Sequence, residues 1–210
     1  MSLLQTIMAA MSPLEIVAAL VSIAGVVLTA RQNILTFPVN IVACVLYMKV
    51  FADVKLYADS ALQLFFISVS CWGWWMWGRG QDAHELPVAR TPLATWGVLV
   101  ALFALGTVVQ GYLLHQHTDA AAPYIDSGIF WASVGAQWMV GRKYVENWLV
   151  WIAVDSVATI LYWSKGLPVT SALYFLFCIL AVGGWIAWIR SGRQVASIEN
   201  RPDGPPIAQP

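Results

Sequence analysis

The stretch ENWLVWIAVDSVATILY, Glu146–Tyr162, is apolar enough for a bilayer interior, yet it carries an amide, two indoles, a carboxylate and a phenol. On a helix, residues four and seven apart fall on one face. Trp151, Asp155 and Tyr162 therefore share a stripe, with Asn147 and Trp148 at its start. An acid at the centre of a membrane helix costs about 2.5–3.5 kcal/mol even on the mild insertion scale. The stripe should turn away from lipid, toward a bundle interior or a wet cavity.

The rest of the chain fits that reading. It has 210 residues, 60% hydrophobic and only 10% charged, with a mean hydropathy of +0.70. A soluble domain carries about 25% charged residues, so this chain is expected to be an all-α integral membrane protein. Spans of about 20 residues cross the hydrocarbon core. Seven are read, at 14–31, 34–51, 60–78, 93–115, 124–140, 146–163 and 169–190. Charged, Gly-rich or Pro-rich breaks separate them. Residues 1–13 form an N-terminal segment without the Lys or Arg of a secretory signal. Residues 191–210, Pro-rich and polar toward the end, are expected to be disordered. The three cysteines (Cys44, Cys71, Cys178) lie in apolar runs and suggest no disulfide framework.

Lys and Arg orient the spans. Arg31, Arg79, Arg90, Arg142, Lys143, Arg190, Arg193 and Arg201 fall on one side, and only Lys49, Lys55 and Lys165 on the other. The richer side is expected to be cytoplasmic. This puts the N-terminus outside and the C-terminus inside a plasma (cell inner) membrane.

Two parts of the chain resemble each other. NILTFPVNIVACVLY (Asn33–Tyr47) aligns with WLVWIAVDSVATILY (Trp148–Tyr162), pairing Asn40 with Asp155 and Tyr47 with Tyr162. After a shorter loop, LQLFFISVSCWGWWMW (Leu62–Trp77) aligns with LYFLFCILAVGGWIAW (Leu173–Trp188). That second match pairs Gln63 with Tyr174, Gly73 with Gly184, Trp74 with Trp185 and Trp77 with Trp188. The expected organisation is two parallel three-helix repeats, residues 14–78 and 124–190, joined by one linking helix within 79–123. Such repeats place a substrate at their interface near the midplane.

Other polar side chains extend the stripe. Asn33, Asn40 and Tyr47 recur along the second span, and Gln63, Ser70, Trp74 and Trp77 along the third; Gln137 interrupts the fifth. Buried amides such as Asn40 and Gln137 also serve simply to link helices. Trp72, Trp75 and Trp96 are read as interfacial anchors. For Asp155 no Lys or Arg lies at comparable depth in any span, and intramembrane ionisable residues are functional by default. Indoles and phenols bind flat rings and cations; amides and an acid bind hydroxyls, amides or positive charge. Together they suit a small, polar, partly aromatic metabolite, neutral or cationic.

Catalytic chemistry finds little support. His115, His117 and Asp119 could hold a metal but are read as a solvated loop, and His84 sits in a charged loop. There is no HExxH, P-loop or GxGxxG motif. The expectation is no enzyme, no cofactor, no metal site and no nucleic-acid partner. A membrane enzyme using Asp155 is the distant alternative, and a ligand-free structural subunit a third.

At these residues the chain resembles the PnuC-type vitamin transporters. The likeness rests on FPVN with Tyr47, LYADSALQLFF (Leu56–Phe66), GWWMW (Gly73–Trp77), AQWMVGRKYVENWLVWIAVD (Ala136–Asp155) and SALYFLF (Ser171–Phe177). It spans about residues 15–190, and Phe37 stands where members often have Trp. The resemblance implies a three-one-three fold related to the SWEET sugar transporters. It also implies facilitated diffusion of nicotinamide riboside, trapping by a cytoplasmic kinase, and a homotrimer. Family binding positions carry over to Gln63, Gln137, Asn147, Trp148, Trp151, Asp155 and Tyr174; Asn40 and Trp74 join them from the stripe. Thiamine or another B vitamin is the alternative cargo.

Overall fold

The computed structural model describes residues 12–53, 57–79, 86–118, 122–164 and 168–199. Seven α-helices account for nearly all of them: α1 Pro13–Ala30, α2 Thr36–Asp53, α3 Tyr57–Gly78, α4 Leu93–His117, α5 Pro123–Gly141, α6 Asn147–Ser164 and α7 Pro168–Glu199. The expectation of a tail from residue 191 meets a helix that runs on to Glu199. Residues 200–210, the segment 1–11, Lys55, His84, Asp119 and Lys165 lie outside the described residues.

Local chemistry sets the helix ends. Ser12 and Glu15 form a reciprocal capping box at the start of α1, with Pro13 in the first turn. Pro123 opens α5 in the same way, with Asp126 in its first turn. Helix α1 closes with Gln32 N–H donating to the Thr29 carbonyl at 2.9 Å and Asn33 N–H to that of Leu28 at 3.0 Å. Helix α5 closes with Lys143 N–H donating to Val140 and Tyr144 N–H to Met139, both at 3.0 Å. Each is a Schellman turn. Each puts a non-glycine residue at positive φ, 53° for Gln32 and 51° for Lys143.

These equivalences correct the register of the internal repeat. Gln32 matches Lys143, Thr36 matches Asn147 at the start of the next helix, and Gly73 matches Gly184. The offset is 111 residues throughout, with equal loops. Asn40 therefore pairs with Trp151 and Tyr47 with Ala158, not with Asp155 and Tyr162. The sequence alignment of the second and sixth spans was one helical turn out. A slip of four residues keeps nearly the same face of a helix, so apolar letters alone could not reveal it.

Six helices close a ring, with α1 against α2, α2 against α3, α3 against α5, α5 against α6, α6 against α7, and α7 against α1. Helix α4 stands outside, packed chiefly on α5. There Gly106 and Gly111 admit the rings of Trp131 and Tyr124. The outer surface is apolar, with Leu93, Leu105, Ile160, Trp163 and Phe175 all exposed. Helices α1 and α4 and the Thr170–Gly192 part of α7 are each long and apolar enough to cross a membrane.

Contacts gather Arg31, Arg79, Arg90, Arg142, Lys143 and Arg190 at one end of the ring, called here the basic end. Four aromatic rings fill it. Phe37 meets Trp77 edge-on at 4.9 Å, Trp77 meets Trp188 at 6.3 Å, and Trp188 meets Trp148 edge-on at 5.6 Å. Gly73 and Gly184 make room for this packing, because a Cβ at either would strike the ring of Phe37 or Trp148. Residues 86–92, between α3 and α4, strap across the same end. Ala89 N–H donates to the Lys143 carbonyl at 3.1 Å, and Val145 N–H to the Ala89 carbonyl at 2.9 Å.

Candidate functional site

Asp155 sits near the middle of α6 and is 5% exposed. Among the described residues no Lys or Arg pairs with its carboxylate. Trp151 lies one turn before it and Trp148 two turns before, as helical spacing requires. Asp155 is close enough to Tyr174 of α7 to interact electrostatically, and so are Tyr162 of α6 and Tyr47 of α2. The Tyr162 and Tyr174 rings stack at 5.2 Å with 17° between planes, and their hydroxyls hydrogen-bond. Tyr47 bonds Ser22 and faces Glu15 of α1. The acid thus lies between tyrosines at one end and the aromatic plug at the basic end.

Asn147 opens α6 and is fully buried. Its Nδ2 donates to the Tyr144 carbonyl at 2.6 Å, while its Oδ1 has no partner. Trp148, 2% exposed, likewise has an unpartnered Nε1. A buried polar atom without a partner costs about 1–3 kcal/mol, so two on adjacent residues mark a place where stability has been given up. The equivalent place in the first half is saturated. There the Thr29 and Thr36 hydroxyls lie 2.6 Å apart over the Gly25 carbonyl, and Asn40 Nδ2 donates to Thr36 at 3.3 Å. Asn40 joins that network from within α2, one turn after Thr36, which makes the bond to α1.

Gln137 of α5 donates from Nε2 to Ser70 Oγ of α3 at 3.3 Å, tying the two halves where those helices meet. Gln63 lies two turns from Ser70 on α3 and is half-buried. Trp151 packs against the cluster of Val145, Trp148, Ala181 and Trp188. Trp74 stands apart. It is 44% exposed and lines an outer groove with Cys71, Trp75 and Arg79. Trp72, expected as an interfacial anchor, stacks instead on Trp138 at 6.1 Å. The structure thus brings Asp155 and Tyr174 together, sets Asn147, Trp148 and Trp151 along the same helix, and leaves Trp74 outside.

Three further residues lie beside these. Ser70 lay in the stripe but was not selected, although it is 1% exposed and holds Gln137. Tyr162 was placed on the Asp155 face without a role. Lys143, read as a loop cation, is buried with Nζ 4.6 Å from the Trp77 ring. The constant offset would have flagged Lys143 by pairing it with Gln32. Among the described residues no three His, Cys, Asp or Glu side chains gather as for a metal.

The model of the nicotinamide mononucleotide transporter family matches residues 12–190. The nicotinamide riboside transporter PnuC of Escherichia coli (strain K12) is 26% identical, over 89% of each chain. The riboflavin/roseoflavin transporter RibM of Streptomyces davaonensis is 28% identical, over 78% of each. A crystal structure of the vitamin B3 transporter PnuC superposes with a TM-score of 0.69 at 26% identity. That match covers 86% of this chain and 82% of the other.

Proposed function

The chain belongs to the nicotinamide mononucleotide transporter family, whose members carry vitamins across membranes, and on that premise we propose that it is a facilitative importer of nicotinamide riboside. The observation that carries the choice is Asp155, a buried acid without a cation among the described residues, flanked on its helix by Trp148 and Trp151 and near Tyr174. A permanently cationic pyridinium ring supplies the missing charge, and aromatic faces add cation–π attraction of about 0.5–2 kcal/mol. A phosphate would face the same carboxylate, which favours the nucleoside over its nucleotide. Ribose hydroxyls find amides in Gln63, Gln137 and Asn147.

The cycle follows from the two halves. Residues 14–78 and 124–190 act as parallel three-helix units around the site, with α4 as linker, and rock to expose it alternately. No ion gradient is required. Net uptake follows from phosphorylation of the nucleoside by a cytoplasmic kinase. The basic end faces the cytoplasm, and the protein works as a homotrimer in a bacterial inner membrane. The likeness to RibM favours a second reading, a different B vitamin such as riboflavin or thiamine, on the same frame.

Proteoliposome uptake separates these readings. Labelled nicotinamide riboside should equilibrate across the membrane unchanged and accumulate only when its kinase is enclosed. Uptake of riboflavin or thiamine in its place would select the second reading. Recovery of a chemically altered product without enclosed kinase would reject transport as the activity.

A further inference from the structure

Two hydrogen bonds cross between the halves at the basic end. Trp77 Nε1, in the first half, donates to the Val140 carbonyl of the second at 3.3 Å. Trp188 Nε1, in the second half, donates to the Thr29 carbonyl of the first at 3.0 Å. Donors and acceptors both obey the 111-residue offset. The same bond is therefore made twice, once in each direction. Resting on the transport reading above, we propose that Trp77 and Trp188 are a paired indole latch that holds the basic end shut and releases when that end opens.

The acceptors explain why the bonds would act as a latch. Thr29 and Val140 occupy the last turns of α1 and α5, and each carbonyl already receives the closing N–H of its Schellman turn. Neither carbonyl can shift without undoing the end of its helix. The donors are constrained as well. Trp188 is fully buried, so its N–H must keep an acceptor or meet water. Separation of the halves would break both bonds together and let water replace them. Buried hydrogen bonds exchanged for water have a small net value, which suits a contact that must reform in every cycle.

The surrounding packing points the same way. The Trp77 and Trp188 rings touch each other across the halves, and Phe37 and Trp148 flank them in matching edge-on contacts. Gln32, at the first left-handed turn, donates to Ser191 Oγ of α7 at 2.7 Å. The second left-handed turn is held by Ala89, which follows α3. The first turn is thus held by a helix of the other half and the second by the strap that follows the first half. The Lys143 ammonium over Trp77 has no counterpart on Trp188 among the described contacts, because Gln32 stands at the equivalent position.

Substitution of indole by phenyl keeps a ring and removes the donor. Spin labels at Arg31→Cys and Arg142→Cys, two exposed and equivalent positions, would report the opening distance by pulsed dipolar spectroscopy in nanodiscs. Cys44, Cys71 and Cys178 would first be replaced by alanine. Trp77→Phe and Trp188→Phe should each raise the long-distance population by about fivefold, and together by more than either alone. A folded double variant with an unchanged distance distribution overturns the latch. If Trp188→Phe fails to elute as a folded protein, the half-buried Trp77→Phe decides alone by the same criterion. No substrate is present, so an error about cargo leaves the distance shift intact. A failed latch would instead show fixed distances beside normal uptake.

Discussion

Glu146 Oε2 accepts two hydrogen bonds from Thr91, one from its N–H at 2.9 Å and one from its Oγ1 at 2.8 Å. The pair fastens the strap of residues 86–92 immediately before Asn147 and Trp148, whose Oδ1 and Nε1 lack partners. Hydrogen bonds to a charged acceptor contribute about 1.5–3 kcal/mol. Glu146→Ala and Thr91→Ala should each lower the melting temperature in detergent by several degrees. The double variant should fall little further than Glu146→Ala alone, because Thr91→Ala removes only the hydroxyl bond, one of the two that Glu146→Ala abolishes. Full additivity would mean that the contact contributes nothing.

Asp155→Asn should leave the fold intact and weaken nicotinamide riboside binding. Loss of an opposing charge in a site of intermediate dielectric is worth about 2–4 kcal/mol, or on the order of 30- to 1000-fold in affinity. Trp151→Ala should cost less, roughly 2- to 30-fold, from its cation–π contribution. Calorimetric titration of the purified variants measures both. Wild-type affinity in Asp155→Asn would remove the central residue of the functional reading.

The matched glycines offer a test with its own control. Gly73→Ala and Gly184→Ala each push a methyl group into an aromatic ring, and overpacking of this kind costs about 1–3 kcal/mol. Thermal melts should show similar losses. Binding should suffer mainly in Gly184→Ala, because the displaced ring there is Trp148, while Gly73→Ala displaces Phe37. Equal binding in the two variants would argue against a role for Trp148.

Two residues first grouped with the site should behave otherwise. Asn40→Ala removes one side-chain bond in the first half, worth about 0.6 kcal/mol in a membrane bundle. It should lower stability slightly and leave affinity within about twofold. Trp74→Ala, on the outer face, should leave uptake unchanged. A large loss of uptake in either would return that residue to the site.

The helices were readable because lipid imposes a simple rule on every span, and long apolar runs punctuated by Gly, Pro and charge obey it. The face bearing Trp151, Asp155 and Tyr162 was readable for the same reason. Its relation to the first half was not. Aligning Asn40 with Asp155 matched one polar letter to another, whereas the structure matches Phe37 with Trp148 and Gln32 with Lys143. Those pairs share positions in a turn and a ring contact, and neither leaves identical letters. The outward position of Trp74 was not legible, because indoles are welcome both at a bundle core and at a membrane boundary, and helical spacing alone does not say which. The Thr91–Glu146 and Trp188–Thr29 contacts join residues far apart in the chain through backbone atoms, which carry no sequence signature.

Helix α4 has a different status from its neighbours. The ring is complete without it, and its contact with the rest is chiefly the α5 seam at Gly106 and Gly111. Most of its circumference answers to acyl chains alone, so its apolar letters are free to drift among Leu, Val, Ile and Phe. What the chain cannot relinquish is the count. With an even number of crossings between the two units, the second would enter the bilayer upside down. On the proposed reading of two parallel three-helix units, the parity of this one helix, more than its composition, keeps them facing the same way.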